Sequence, residues 1–85
     1  MNGNPSPERK NIQSVTRAIA ILEFLATCRN GERLTAISQE LGLNKSTTHS
    51  LIITLEDTGY VQQDQTTTKY SLGLKLFELG HVVHA

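Results

Sequence analysis

The stretch Leu41-Gly42-Leu43-Asn44-Lys45-Ser46-Thr47-Thr48-His49 decides the fold, because it ends one helix and starts another within three residues. Gly42 is suited to a left-handed C-cap on a short helix that carries Ala36, Ile37 and Leu41, with Thr35 as its expected N-cap. Asn44 is a strong N-cap for a third helix, which runs through Leu55 until Gly59 stops it. Two helices joined by so tight a glycine-containing turn are the signature of a helix-turn-helix.

Working outward, Val15, Ala18, Ile19, Leu22, Leu25 and Ala26 recur at helical spacing behind Ser14 as N-cap, which predicts a first helix over about residues 15–27. Asn30 and Gly31 supply the turn into the second helix. After Gly59 the pattern changes. Tyr60 to Gln63 and Lys69 to Leu72 are short β-prone runs around the polar stretch Asp64 to Thr68, which predicts a hairpin. Leu74 to Leu79 return to helix formers, continuing through His81, Val82 and Val83. Residues Met1 to Gln13 hold both prolines, Pro5 and Pro7, and show no apolar periodicity, so they are expected to form a flexible arm. The fold class is therefore mainly α with a small β-hairpin.

Composition narrows the function. Eighty-five residues make one small domain. A single cysteine, Cys28, excludes an internal disulfide framework and any Cys-rich zinc site, and suits a cytoplasmic protein. Cys28 reads as a small buried hydrophobe, because no resolving thiol exists. The longest apolar run, Ala18 to Leu22, is far short of the roughly 18 to 20 residues that cross a bilayer. No membrane partner is expected. The chain offers no catalytic Ser/His/Asp arrangement, no Gly-rich phosphate loop and no zinc-protease motif, so neither an enzyme nor a cofactor is expected. His81 and His84 share a spacing but lack a partner carboxylate or thiol, and no metal is assigned to them. Eight basic residues balance eight acidic ones, so a nucleic-acid partner must be argued from where the charges sit.

They sit suggestively on the third helix. At about 100° per residue, Thr48, Leu51, Ile52 and Leu55 form one stripe and Ser46, Ser50, Ile53 and Asp57 lie opposite, with His49 on one flank and Thr47 and Thr54 on the other. Between Glu40 and Glu56 the fifteen intervening residues contain no acid, while Lys45 lies in the first turn. A phosphate can approach free N–H groups and the positive end of the helix dipole without meeting a carboxylate. Short hydroxyl side chains also let the helix sit close to base edges. The plainer alternative is a solvated polar face.

With these motifs in order, the chain resembles the N-terminal domain of IclR-type bacterial transcriptional regulators. The resemblance rests on Ser14 to Leu22, Leu41 to His49, Leu55 to Val61, Lys69 to Gly73 and Leu76 to Gly80, and covers Ser14 to Gly80 without a gap. It implies a winged helix-turn-helix over residues 14–80, with the recognition helix at about 44–58 in the major groove of promoter DNA and the wing at about 60–72 along the backbone. Residues 81–85 would begin a linker helix toward an effector-sensing domain absent from this chain. The DNA-binding candidates are Arg17, Thr35, Lys45, Ser46, Thr47, His49, Ser50, Thr54 and Lys69. Two departures stand out. The family commonly has Arg where this chain has Ser50, and the usual wing-tip Gly is missing from Gln65-Thr66-Thr67-Thr68, which predicts a longer, mobile tip.

On helix 1 a second stripe, Ile21, Phe24 and Cys28 in line with Arg17, is either a wide core face against the last helix or, as the resemblance implies, a homodimer contact through Ile21 and Phe24. Arg17 is either a surface charge or a phosphate contact. The competing functional class is a winged-helix protein-interaction module that binds no DNA, which would expose apolar residues on helix 3.

Overall fold

A computed structural model of the chain describes residues 9–84. The elements run α1 (Gln13–Ala26), α2 (Leu34–Leu41), α3 (Lys45–Asp57), β1 (Val61–Gln63), β2 (Tyr70–Leu72) and α4 (Leu74–His84). Of the expected arm, residues 1–8 lie outside the described residues, and Gln13 belongs to α1.

The helix ends follow local chemistry, with two corrections. Gly42 closes α2 at φ 67°, and the Leu43 N–H donates to Ser38 O at 3.0 Å. Asn44 Oδ1 accepts from the Thr47 N–H at 2.8 Å and caps α3. Ser14 and Thr35, however, are not N-caps. Ile12 and Arg33 occupy those positions without a side-chain cap bond, because each helix starts earlier than the first good capping residue. At the start of α1 the Thr16 hydroxyl donates back to Ile12 O at 3.3 Å.

Ile21, Leu25, Ile37, Ile52, Leu55, Val61 and Tyr70 form one buried cluster, drawn from three helices and both strands. Its position corrects the reading of α1. Val15 and Ile19 remain 55% and 49% exposed and Ala26 is exposed, whereas Ile21 is fully buried. Ala18, Ile21, Leu22 and Leu25 make the true inner face, against α2, α3 and β2. A helix this rich in apolar residues carries two overlapping stripes, and only its neighbours decide which turns inward. Ile21 therefore cannot be a dimer contact, and it packs against those elements rather than against α4.

β1 and β2 pair antiparallel in the register Val61↔Leu72, Gln62↔Ser71, Gln63↔Tyr70. The strands start one residue later than Tyr60 and Lys69. A third partner was not anticipated: Glu32 bridges Tyr70 from the other edge, with Glu32 N–H to Tyr70 O at 2.9 Å and Tyr70 N–H to Glu32 O at 2.7 Å. Gly31, at φ 79°, makes this approach possible, since a Cβ there would sit 2.5 Å from Tyr70 O. Gly73 turns β2 into α4 against the Gly59–Tyr60 backbone, with its N–H donating to Tyr60 O at 2.8 Å. α4 then passes through Gly80 without a break and runs to His84, as the helix formers from Leu74 onward predict.

The hairpin tip departs from the mobile loop expected there. Asp64 Oδ1 accepts from the Thr66 N–H and Oδ2 from the Thr67 hydroxyl, both at 3.0 Å, while the Thr68 N–H donates to Asp64 O at 2.7 Å. Thr68 takes the positive φ, 62°, that a glycine would usually supply. The Asp64 carboxyl is held below the usual carboxylate range, chiefly by the Thr66 N–H and then by the Thr67 hydroxyl.

Two outcomes are expected. Gly31→Ala forces both a Cβ into positive φ and a clash with Tyr70 O, and urea unfolding is expected to show a loss of about 1–3 kcal/mol. Burial, and next the Glu56 charge, raise the Tyr70 phenol above its ordinary value. The unfolded chain then releases that proton first, so stability is full below about pH 10 and falls as pH rises toward the folded value. Chemical unfolding across that range is expected to show a steeper decline in the parent than in Tyr70→Phe.

Candidate nucleic-acid interface

α3 has two faces of different chemistry. Thr48, Ile52 and Leu55 are buried, and the Thr48 hydroxyl, which would otherwise be stranded in the core, donates to Asn44 O at 2.9 Å. Lys45, Ser46, His49, Ser50 and Ile53 are exposed. The helix thus sits on the core as its periodicity predicts. No acidic residue lies in its first turn, whereas Glu56 and Asp57 close its last. The dipole and the charges agree in direction, so an anion is favoured at the N-terminal end and repelled at the C-terminal end.

The hydroxyls on this face differ in what they can still do. Ser46 Oγ donates to Asn44 Oδ1 at 3.2 Å and Thr54 Oγ1 to Ser50 O at 3.1 Å, leaving each free to accept from a base amino group. The Ser50 hydroxyl and the His49 ring have no hydrogen-bond partner among the described residues. Both can donate or accept outward.

Lys45, Ser46, His49 and Ser50 are exposed together on the first two turns of α3, and the remaining candidates lie elsewhere. Thr47 is half-buried, and its N–H is already taken by Asn44. Thr54 lies on the flank toward α1, lining a groove with Val15, Ile19, Leu51 and Tyr60. Arg17 lines a cleft with Phe24, Glu40 and Leu41, at the end of α2. Phe24 is half-buried and packs on the core, so only part of its ring is open to a partner. Thr35 is exposed in the first turn of α2, and Lys69 is half-buried at the base of β2, its N–H donating to Thr67 Oγ1 at 3.2 Å.

One cation escaped the sequence reading. Arg33, the N-cap residue of α2, is exposed and donates from Nε to Thr67 O at the hairpin tip, at 3.4 Å. No local pattern marks this pair, because the partners are 34 residues apart and meet only once Glu32 has bridged Tyr70.

Comparison with known proteins gives a consistent result. The family model described as the IclR helix-turn-helix domain matches residues 14–65. The chain is 47% identical over 72 residues to the HTH-type transcriptional regulator XynR of Escherichia coli strain K12, covering 85% of this chain and 29% of that protein. It is 45% identical over 74 residues to the glycerol operon regulatory protein of Streptomyces coelicolor, covering 84% and 28%. An IclR transcriptional regulator from Alicyclobacillus acidocaldarius has the same fold at TM-score 0.81 and 34% identity, over 85% of this chain and 29% of that one. The chain therefore spans less than a third of the length of these relatives.

The two faces of α3 are expected to separate in mutagenesis. Asn44→Ala, which removes the cap, is expected to lower the unfolding free energy by about 1 kcal/mol. Ser46→Ala and Ser50→Ala are expected to stay within about 0.5 kcal/mol of the parent in urea titrations. A large loss in the serine variants means that α3 is rotated from the orientation described.

Proposed function

Because the chain belongs to the IclR family of transcriptional regulators, its helix-turn-helix being that family's DNA-binding domain, we propose how it engages the duplex. The N-terminal half of α3 enters the major groove of promoter or operator DNA, and the β1–β2 wing lies along the backbone. The observation that carries this reading is the acid-free, exposed surface of Lys45, Ser46, His49 and Ser50 at the positive end of a capped helix. Ser46, His49 and Ser50 read base edges, with Thr47 and Thr54 flanking. Lys45 and Lys69 meet phosphates, and so does Arg17. Thr35 adds a phosphate contact from the start of α2, where the first helix of such a motif crosses the backbone. With Ser50 in place of an arginine, base readout depends on short hydroxyls, so it works only at close approach.

One recognition helix reads too few base pairs to find a promoter, so the regulator acts as a homodimer on a roughly palindromic site. Leu74, Phe77 and Val82 on α4 are 67–72% exposed, and Val15 and Ile19 on α1 are also open. These residues, with the open part of Phe24, supply the apolar area that a second copy covers; Ile21 does not. A small-molecule effector acts through a separate domain, and the regulator works in the cytoplasm. Among the described residues no helix is long and apolar enough to cross a membrane.

Fluorescence anisotropy with duplex DNA over a salt series tests the interface. About 3–5 neutralised phosphates per domain predict that log K falls with log salt at about 0.9 per phosphate. Lys45→Ala is expected to lower that slope by about one phosphate, while Ser50→Ala loses discrimination between promoter and mixed sequence with the slope unchanged. Phe77→Asp is expected to remove cooperativity on paired half-sites at an unchanged melting temperature. Binding that does not vary with salt overturns the electrostatic part of the reading.

A further inference from the structure

We propose that Arg33 is a clamp between the wing and the DNA backbone, its Nε–H holding the Thr67 carbonyl while its terminal amino groups take a phosphate oxygen. The proposal rests on the DNA-binding reading above and adds to it a residue and a means of orienting the wing.

Three observations carry it. The Nε–Thr67 O bond is the one side-chain hydrogen bond between the helical part and the wing among the described residues, and at 3.4 Å it uses a single donor of the five on a guanidinium. The side chain is exposed and lacks an acidic partner, since the described residues contain one ion pair, Lys75–Glu78. Neither nearby carboxylate pairs with the guanidinium. Glu32 Oε1 accepts from the Arg33 N–H at 3.2 Å, and both Asp64 oxygens are turned onto Thr66 and Thr67. Thr67 is therefore held through its hydroxyl by Asp64 and through its carbonyl by Arg33 and the Thr68 hydroxyl, and the remaining guanidinium donors form a planar fork at the wing's edge. Such a fork matches phosphate geometry in a way an ammonium does not.

The test compares the parent chain with Arg33→Ala and Arg33→Lys, reading the salt slope by anisotropy on a duplex of mixed sequence and the wing's backbone contacts by hydroxyl-radical footprinting on a duplex site that the parent selects from a random pool. Arg33→Ala is expected to lower the slope by about 0.9 and to erase protection on the wing side. Arg33→Lys is expected to regain the slope without regaining full wing protection, because the charge returns but the fork does not. Arg33 makes no side-chain cap bond, so both variants are expected to keep the parent's melting temperature. Should Arg33→Ala unfold, Arg33→Lys carries the footprint comparison. A parent that binds while Arg33→Ala keeps the same slope or the same wing footprint overturns the assignment and leaves the DNA-binding reading standing. A parent that does not bind the duplex at any salt overturns both.

Discussion

The backbone pairing of Glu32 with Tyr70 is the constraint on which the rest of the molecule depends. Tyr70 faces β1 through Gln63 on one edge and Glu32 on the other, so a two-stranded ribbon becomes part of a three-way junction. An isolated hairpin of three-residue strands is marginal in water. Anchored through Glu32 and with the Tyr70 ring in the core, the wing gains a fixed orientation relative to the helix-turn-helix. The turn before α2 thereby becomes part of the wing's support.

The same junction explains how a chain of zero formal net charge can address a polyanion. Affinity depends on the local field rather than the total. Glu56 and Asp57 lie at the far end of α3, and Glu78 is paired with Lys75 on α4. Asp64 and Glu32 keep their charges nearer the wing, with Asp64 turned onto Thr66 and Thr67 and Glu32 Oε1 onto the Arg33 N–H. The exposed face of the first two turns of α3 carries Lys45 and hydroxyl groups, while Glu40 sits at the end of α2 in the cleft that Arg17 lines.

α4 shows a different economy. It leaves the sheet at Gly73, gains a stacked contact between Phe77 and His81, and otherwise keeps its apolar residues outside the core. The burial that holds the domain together is supplied without it, by α1, α2, α3 and the hairpin. A helix that adds little to the core is available to bury its apolar side elsewhere.

Local signals were legible in the sequence wherever a single residue type carries the geometry. Gly42 and Asn44 fixed the helix-turn-helix boundary, the spacing of Thr48, Ile52 and Leu55 fixed the buried side of α3, and Gly59 marked its end. The acid-free run from Leu41 to Leu55 and the hydroxyls on the exposed face of α3 needed nothing more than residue order. Tertiary packing alone decided the rest. On α1 two apolar stripes compete, and the choice of Ile21 over Val15 and Ile19 follows from where α2, α3 and β2 lie. The ordered tip depends on Asp64 and on Thr68 accepting a positive φ, neither of which composition announces. Arg33 and Thr67 meet because two distant segments share Tyr70, and pairing across 34 residues leaves no period in the chain to read.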